Sequence, residues 1–250
     1  MTLLKNAEEY KRMKIAGEVL AKTMFFISTL IQPGSSAMDI NEKAEEFIHN
    51  NDCKPAFKGY QGYPYSICLS INQEVIHGFP LQDKILKEGD LVSVDLGCIY
   101  ENYYSDMART FPVGLVSTER SRLIEVTKKS LQLGIKQAVA GNRTGDIGFA
   151  IQSYVEKNGY SVVRDFAGHG LGLSLHEDPQ IPNFGEKGKG SLLKENMSIA
   201  IEPMVNAGSF AVYTMPDHWT VVTKDGKDSA HFEDTIFIKK DSVEVLTALS

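Results

Sequence analysis

Apolar residues recur along this chain with two different spacings. The segment at residues 1–34, MTLLKNAEEYKRMKIAGEVLAKTMFFISTLIQPG, places them at helical spacing among Lys and Glu, which predicts an amphipathic helix. Helices are also predicted for DINEKAEEFIHNN, STERSRLIEVTKKSLQLGIKQAVAG and DIGFAIQSYVEKN. By contrast, LVSVDLG and MSIAIEP are short alternating runs typical of strands, and the strands YYSDMARTFPVG and SAHFEDTIFI follow them.

A long-range repeat relates these elements. LKEGDLVSVD, which ends at Asp95, returns as LKENMSIAIE, which ends at Glu202, at an offset of 107 residues. PGSSAMDINEKAEEFIHNN and AGNRTGDIGFAIQSYVEKN align at the same offset of 107. Two copies are too few for a solenoid, which needs three or more units. The repeat predicts one domain over residues 1–250 with an internal duplication, roughly residues 30–110 and 138–240.

Each copy has the order helix and then strands. A glycine turn and an Asp-Ile pair precede the helix, so Asp39 and Asp146 are predicted to cap the two helix N-termini. Two such halves, related by an approximate twofold axis, would form an α+β domain whose strands meet in the middle. Asp95 and Glu202 would then lie at the ends of the repeated strands.

Composition and charge narrow the class of protein. The chain has 26 basic and 32 acidic residues, a net charge of −6, and no Lys/Arg block, so neither a nucleic-acid site nor a membrane surface is predicted. The longest apolar stretch, MFFISTLI, is far shorter than the roughly 20 residues of a membrane span. Its surroundings also lack the residue order of a secretory signal. We therefore expect a cytoplasmic protein.

The three cysteines favour no covalent or metal framework. Cys53, Cys68 and Cys98 are odd in number and lack CxxC spacing, which argues against disulfide scaffolds and zinc ribbons. We expect buried or pocket-lining thiols.

The symmetry of the repeat brings four carboxylates together. Asp95 and Glu202 end the repeated segments, and the strands that follow carry Asp106 and Glu233. Any one of these acids alone is typical of a protein surface, but a twofold axis gathers equivalent positions. Four uncompensated anions would repel one another, so some would stay protonated. Two divalent cations would balance the charge, which predicts a dinuclear metal site.

Histidines supply the expected nitrogen ligand. His169 lies in FAGHGLGLSLHEDP, where glycines at 168, 170 and 172 would let the backbone pass close to a site and adopt unusual φ angles. A plain tight turn is the alternative, and the segment lacks both the GxGxxG order and the lysine of a phosphate loop. His176 follows seven residues later.

The other histidines are less specific. His77 precedes a Gly-Phe-Pro turn and could equally be structural. His49 is expected on the outer part of a helix. His218 and His231 flank the site strands, where they could support the metal ligands.

These motifs together resemble a known family. VDLG with Asp95, YYSDMARTF with Asp106, GHGLGLSLHEDP with His169, AIEP with Glu202, HWTVVTKD, and AHFEDTI with Glu233 are similar to type I methionine aminopeptidases of metallopeptidase family M24. The resemblance extends from the N-terminal helix to Ile238. It implies the α+β pita-bread (creatinase/aminopeptidase) fold, with two pseudo-twofold-related halves around a central antiparallel sheet.

The resemblance also implies an activity. The enzyme would remove the initiator methionine from nascent proteins and peptides whose second residue is small, by attack of a water or hydroxide bridged by two metals. It implies that Asp95 and Asp106 bind one metal, that His169 and Glu202 bind the other, and that Asp106 and Glu233 bridge both. Glu202 would also move the proton, while His77 and His176 would contact the substrate and take part in catalysis.

A methionine pocket is matched by Tyr60, Tyr63, Cys68 and Trp219, because aromatic rings and a thiol suit a thioether. Two positions depart from the bacterial pattern of the family. Phe57 stands where a cysteine is often found, and Leu175 stands where a larger aromatic residue often precedes the histidine. Leu175 changes the pocket volume but keeps the pocket apolar.

Cofactors and partners follow from the same resemblance. The oxygen and nitrogen ligands accept Co, Mn, Fe, Ni or Zn ions. A monovalent cation held by backbone carbonyls around Asn72, Gln73 and Ser229 is found in similar proteins. The expected partner is the N-terminal methionine of nascent polypeptides, with transient proximity to the ribosome. We expect a monomer with no direct nucleic-acid site and no membrane contact.

Three alternatives remain at this point. A prolidase, aminopeptidase P or creatinase relative would carry a large additional N-terminal domain, whereas only about thirty residues precede Pro33. Neither a zinc-finger extension nor an inserted helical subdomain is visible, as in the short bacterial form. A non-catalytic pita-bread binding protein would usually have lost metal ligands, and all five are present. A metal-stabilised structural protein would leave His77, His176 and the aromatic pocket unexplained.

Overall fold

The predicted helices form at the expected places in the computed structural model, which describes residue 3 and residues 6–248. The helices are α1 (Ala7–Leu30), α2 (Ala37–His49), α3 (Thr118–Ile135) and α4 (Thr144–Lys157). A short 3₁₀ helix covers Tyr60–Gly62. Asn6 caps α1, because its Oδ1 accepts a hydrogen bond from the Glu9 amide at 3.0 Å. Residues 1, 2, 4 and 5 of the predicted N-terminal helix lie outside the described residues.

The predicted capping is confirmed for Asp146, which caps α4 from the third position of a capping box, although neither aspartate is the N-cap residue itself. Ser36 and Arg143 occupy the N-cap positions of α2 and α4, so Asp39 and Asp146 are the third residues of their helices. Asp146 still accepts a hydrogen bond from the Arg143 amide at 2.8 Å. An aspartate in the first turn is favourable there because the helix dipole is positive at that end.

Strands in the described residues form one large and two small sheets. The large sheet contains β1 (Lys54–Pro55), β2 (Ile67–Ile71), β4 (Leu91–Tyr100), β5 (Tyr103–Pro112), β7 (Ala167–Gly170), β8 (Glu177–Pro182), β9 (Ser198–Ile201), β14 (Glu233–Ile238) and β15 (Val243–Val245). One small sheet contains β6 (Ser161–Val162), β10 (Met204–Asn206) and β13 (Ser229–His231). The other contains β3 (Glu74–Ile76), β11 (Val212–Thr214) and β12 (Val221–Thr223).

SAHFEDTIFI, predicted as one strand, is two strands in different sheets. The chain leaves the ladder at Phe232, whose amide donates to the Pro203 carbonyl at 3.3 Å, and β14 begins at Glu233. The break places Glu233 at the start of a strand of the large sheet.

The large sheet is antiparallel and symmetric about its centre. Its middle strands run in the order β4, β5, β14, β9, with β2 paired to β4 on one side and β7 paired to β9 on the other. The boundary between the halves falls between β5 and β14. The predicted central antiparallel sheet is therefore present.

Hydrogen bonds repeat at the offset found in the sequence. The Gly34 amide donates to Leu86 O at 2.8 Å, and the Gly141 amide donates to Leu193 O at 3.0 Å. Isolated bridges pair Ser36 with Ile85 and Arg143 with Leu192. Because each second pair lies 107 residues after the first, the loops before α2 and α4 have the same local structure.

Helices pack on one face of the large sheet, and the alternation of side chains leaves the other face for polar groups. Val92, Val94 and Leu96 of β4 belong to a core cluster with Leu20 and Ile40 from α1 and α2. In the second half, Ile199, Ile201 and Ile236 pack with residues of α3 and α4. Since successive side chains of a strand point to opposite faces, Asp95, Asp106 and Glu233 project from the face away from the helices.

Among residues 3 and 6–248, no helix combines the length and the apolar character that a membrane span requires.

Candidate metal site

Three strands bring carboxylates into one row across the sheet. Asp95 on β4 pairs with Ala108 on β5, and Ala108 pairs with Glu233 on β14. Asp106 lies two residues before Ala108 and therefore projects from the same face. The methyl side chain of Ala108 is small, so it leaves the space between the acids open.

Asp95 was predicted at the end of its strand, and this was wrong. It is the fifth of ten residues in β4, and Asp106 is the fourth residue of β5. Glu202, in contrast, directly follows β9. The chain ends this strand before Pro203, which has no amide hydrogen for a ladder. The strand in the first copy of the repeat, β4, is therefore longer than the strand in the second copy, β9.

His169 lies on β7 beside the acids. Its Nε2 is 3.9 Å from Asp106 Oδ2 and 3.7 Å from Glu202 Oε1. Its Nδ1 is 3.0 Å from Gly170 O, which can only accept, so Nδ1 carries the proton and the Nε2 lone pair faces the carboxylates. One atom each from Asp106, His169 and Glu233 lie within 4.8 Å of one another, and all three residues are buried.

The glycines around His169 serve strand packing. A Cβ at Gly168 would collide with the Ala200 carbonyl, and a Cβ at Gly170 would collide with the Asp178 carbonyl. These two glycines therefore allow a close approach to the neighbouring strands, and the predicted close approach to a site stays a prediction. The predicted unusual φ angles were wrong, since none of the glycines at 168, 170 and 172 has a positive φ.

Burial dominates the electrostatics of the cluster. It raises the pKa of Asp95, Glu202 and Glu233 well above the ordinary carboxyl range, with neighbouring carboxylates adding to the shift. It raises the pKa of Asp106 to about 7. Burial lowers the pKa of His169 to about 3. Without a counter-charge, the cluster is stable only with most of its carboxyl groups protonated.

The donor set fits divalent metal ions. Asp95 Oδ1 and Glu233 Oε1 are buried and have no hydrogen-bond partner among the described residues. Burying such an oxygen costs free energy unless a bound cation takes the place of that partner. Four carboxylates with one imidazole Nε2 form an oxygen-rich set that suits borderline and hard divalent ions. The His169 Nδ1–H bond to a carbonyl is the usual support of a metal-ligating imidazole.

One cavity of about 150 Å³ gathers every residue predicted for the site. Its lining consists of Phe57, Tyr60, Gln61, Tyr63, Cys68, His77, Asp95, Asp106, His169, Leu175, His176, Glu202, Trp219 and Glu233. A larger groove of about 870 Å³ lies elsewhere, between Glu74 and Tyr213. None of the four carboxylates of the candidate site lines this groove. The volume of a cavity therefore does not by itself identify the candidate metal site.

Aromatic side chains form the apolar wall of this cavity. The ring of Tyr63 lies 5.0 Å from that of Trp219 and 5.5 Å from that of Phe79. The Tyr63 hydroxyl is within hydrogen-bonding distance of the carbonyls of Ile67 and Gly78, at 3.0 and 3.2 Å, so its ring is held in place. Leu175 is only 2% exposed and belongs to the same apolar cluster.

His77 and His176 lie on the polar side of the cavity. His77 has a φ of 59°, in the left-handed region, a costly conformation for a residue other than glycine and one that is common at functional sites. Burial lowers its pKa to about 4. His176 Nδ1 is 2.7 Å from Tyr60 Oη, and its ring centroid is 4.3 Å from that of His169. A second cavity of about 380 Å³ shares His77, His176 and Glu202 and leads away from the aromatic wall.

The three remaining histidines differ in position. His231 is fully buried, and its Nε2 lies 3.7 Å from Glu202 Oε2, which places it beside a predicted ligand. His218 is exposed in the turn before β12, so the expectation that it supports a ligand was wrong. His49 is half exposed near the end of α2, as predicted. The three cysteines are free and buried, and Cys68 lines the cavity, as predicted.

Two contributors were missed from the sequence. Gln61 lines the cavity, and its Nε2 lies 3.3 Å from Tyr60 Oη. Thr235 is fully buried and hydrogen-bonds the backbone of Asp106. The only sequence signal for Gln61 was its position next to Tyr60. The only sequence signal for Thr235 was its position two residues after Glu233.

Comparison with known proteins places the chain in a family. The profile described as metallopeptidase family M24 matches residues 11–240. A methionine aminopeptidase of Clostridium perfringens is 48% identical over 249 residues, which cover 100% of each chain. The crystal structure of methionine aminopeptidase from Thermotoga maritima has a TM-score of 0.97 at 45% identity and 99% coverage of both chains.

A more distant structure separates the alternatives. Prolidase from Pyrococcus furiosus has a TM-score of 0.81 at 25% identity, and the match covers 99% of this chain but 66% of that one. These enzymes share the pita-bread fold, so the predicted fold is confirmed. The higher identity to the methionine aminopeptidase favours the first comparison over the second.

Proposed function

The chain belongs to metallopeptidase family M24, and from that premise we propose that it removes N-terminal methionine from polypeptides whose second residue is small. It is a divalent-metal-dependent hydrolase that acts as an aminopeptidase. The observation that carries this function is one cavity in which four carboxylates and an imidazole face an aromatic and thiol-lined wall. A cavity of comparable volume in another protein holds benzene, so about 150 Å³ suits one apolar side chain.

The residues take the following roles in this proposal. Asp95 and Asp106 would hold one ion and His169 and Glu202 would hold the other, while Asp106 and Glu233 would serve both. Bound as a pair, such ions supply a water of lowered pKa as nucleophile and polarise the peptide carbonyl. The orphaned oxygens of Asp95 and Glu233 support this ligand set.

Side chains of the cavity move protons and orient the peptide. Glu202 accepts the proton of the attacking water and passes it to the leaving amine. His176 donates a hydrogen bond to the developing oxyanion, and His77 donates one near the scissile nitrogen. Both histidines line the cavity that continues away from the methionine wall, which is where the leaving chain lies.

The methionine side chain packs against the wall of Tyr60, Tyr63, Cys68, Leu175 and Trp219. The buried Cys68 thiol is inert, because burial raises its pKa. A soft sulfur among aromatic rings is a favourable neighbour for a thioether.

The identity of the ions and the cellular context complete the proposal. Co, Mn, Fe, Ni or Zn fits the ligands. A monovalent cation lies near Asn72, Gln73 and Ser229, where the carbonyls of Asn72 and Gln73 accept amide hydrogens and each keep a second lone pair.

The protein acts as a cytoplasmic monomer close to ribosomes, on chains as they emerge. Residues 1–250 form one domain made by duplication, which the repeated hydrogen bonds support.

Cleavage of two peptides tests the function. Chelated protein is assayed with Met-Ala-Ser and Met-Lys-Ser peptides, with and without each divalent metal in turn. N-acetylated Met-Ala-Ser serves as the control for the free amine. We expect metal-dependent release of methionine from Met-Ala-Ser alone. Equal turnover of all three peptides, or none with any metal, would exclude the proposal.

A further inference from the structure

His176 is held by a short chain of side-chain contacts. Its Nδ1 lies 2.7 Å from Tyr60 Oη, and Gln61 Nε2 lies 3.3 Å from the same oxygen. A phenol has one proton to donate, while its oxygen can also accept. Because the Gln61 amide donates to this oxygen, Tyr60 already accepts one hydrogen bond and its own proton is available for His176 Nδ1.

The direction of this contact fixes where the imidazole carries its proton. A neutral imidazole has one N–H, and the nitrogen that accepts a hydrogen bond is the one without it. With the Tyr60 proton directed at it, His176 accepts at Nδ1 and carries its proton on Nε2. Only that form can donate Nε2–H into the cavity.

The neighbouring ring leaves Tyr60 as the partner of Nδ1. His169 lies against the other side of His176, with ring centroids 4.3 Å apart, but its own Nδ1–H is used by Gly170 O. The ring of Tyr60 is tilted against His176 with centroids 5.3 Å apart. His176 is thus packed between two rings, of which one supplies a directed hydrogen bond.

The backbone of the Tyr60 loop is strained in a way that presents both side chains. Gly59, Gln61 and Gly62 have φ values of 88°, 48° and 89°, all in the left-handed region. For Gln61 this conformation costs free energy, and such strain persists where the surroundings hold it, often at functional sites. The turn lets two consecutive residues, Tyr60 and Gln61, both line the cavity.

We propose that Tyr60 is a positioning residue whose hydroxyl, oriented by Gln61, holds His176 in the tautomer with its proton on Nε2. This role is distinct from contact with the methionine side chain, which needs only the Tyr60 ring. It rests on the proposed function in so far as the Nε2–H then stabilises the oxyanion.

Tyr60→Phe separates the two roles, because it keeps the ring and removes the hydroxyl. Nitrogen-15 NMR of the Zn²⁺-loaded full chain, with labelled histidine, reports the tautomer of His176 directly. We expect the Nε2–H form in the wild type and a mixture of both tautomers in the variant. With a Met-Ala-Ser peptide, kcat should fall about tenfold, roughly what one neutral hydrogen bond supplies, at nearly unchanged KM.

Two further variants sharpen the test. Tyr65→Phe makes the same chemical change four residues away from Gln61, where the Tyr65 ring packs edge-on against Tyr63 and Phe79, and it should change neither readout. Gln61→Leu removes the donor to Tyr60 and should give a smaller loss of kcat with a partial tautomer shift.

Two outcomes would overturn the inference. One is a Tyr60→Phe protein that keeps the pure Nε2–H form and the wild-type kcat. The other is a rise in KM alone, which would show that Tyr60 only lines the methionine pocket. A wild-type protein that cleaves no peptide would instead refute the proposed function, and the NMR result would still decide the tautomer.

Discussion

Thr235 and Asp106 are joined by two hydrogen bonds across the boundary between the halves of the sheet. The Thr235 hydroxyl donates to Asp106 O and accepts from the Asp106 amide, both at 2.8 Å. The backbone pairing of β5 and β14 ends one step earlier, at Met107 and Asp234. The Thr235 side chain thus replaces the next pair of backbone hydrogen bonds between β14 and β5. It holds β5 in place at Asp106, whose carboxylate belongs to the candidate metal site.

Thr235→Val should weaken this junction. Valine has the same shape but leaves a buried amide and a buried carbonyl of Asp106 unpaired, which should lower the free energy of unfolding by about 1–3 kcal/mol. Urea unfolding curves of metal-free protein measure the change. Thr214→Val, at an exposed position of β11, is the matched control. A Thr235→Val protein as stable as that control would show that the two bonds contribute nothing.

Much of the site could be predicted because its residues lie on a repeated pattern. The alternation in LVSVDLG and MSIAIEP marks strands, and the offset of 107 pairs Asp95 with Glu202 from the order of the residues alone. The positions along the strands could not be predicted, since β4 continues past Asp95 while β9 stops before Glu202 and Pro203. Strand length there depends on tertiary pairing with β5, which the local pattern does not encode.

Contacts between side chains that are distant in the sequence also could not be predicted. His231 lies beside Glu202 because β13 and β14 separate at Phe232, and SAHFEDTIFI contains neither glycine nor proline to indicate that break. The direction of the Leu175 side chain relative to that of His176 could not be predicted either. Leu175 lies in the bend between β7 and β8, where side chains do not alternate between two faces as they do in a strand.

Leu175→Phe should alter methionine binding more than chemistry. Leu175 is 2% exposed and packs with Tyr63 and Cys68, so a larger ring would intrude into a cavity of about 150 Å³. Steady-state kinetics should show KM for a Met-Ala-Ser peptide rising about tenfold with kcat within about twofold, the sign of lost uniform binding. Leu175→Met, which conserves volume, is the control. A loss of kcat at unchanged KM would mean that the residue positions His176 instead.

Glu202→Gln should abolish proton transfer. The amide keeps the shape of the side chain but cannot accept and return a proton, so kcat should fall about 10²–10⁴-fold. Elemental analysis of the same preparation establishes that metal is still bound. Glu195→Gln, at an exposed position outside the cavity, is the control. Near wild-type kcat in a metal-loaded Glu202→Gln protein would rule out the shuttle role.

Chelation should destabilise the fold in a pH-dependent manner. Metal bound only by the folded state adds about 2.7 kcal/mol at a hundredfold excess over Kd, which corresponds to roughly 5–10 °C in Tm for a chain of this size. In the chelated protein, burial holds the pKa of Asp106 at about 7 and raises those of Asp95, Glu202 and Glu233. The stability that these acids contribute is complete below about pH 4 and is lost as pH rises through the folded values.

Buried histidines oppose this trend at lower pH. The pKa values of His169 and His231 are about 3, and that of His77 is about 4, so the unfolded chain takes up protons first as pH falls below about 6.5. Melting curves of chelated protein should therefore show Tm rising as pH falls from about 8 to 6.5 and then levelling. Glu233→Gln should reduce the slope above pH 6.5, because it removes one buried charge. Identical melting with and without metal, in protein shown to bind it, would contradict a shared site.

Metal stoichiometry tests the central claim most directly, because the claim is that both halves of the chain hold a pair of ions together. Chelated wild-type protein is titrated calorimetrically with Mn²⁺ or Co²⁺, and bound metal is counted by elemental analysis. The account predicts two ions per chain in the wild type and loss of at least one in Glu233→Gln, which removes a bridging carboxylate. One ion or none in the wild type, or two retained by Glu233→Gln, would contradict it.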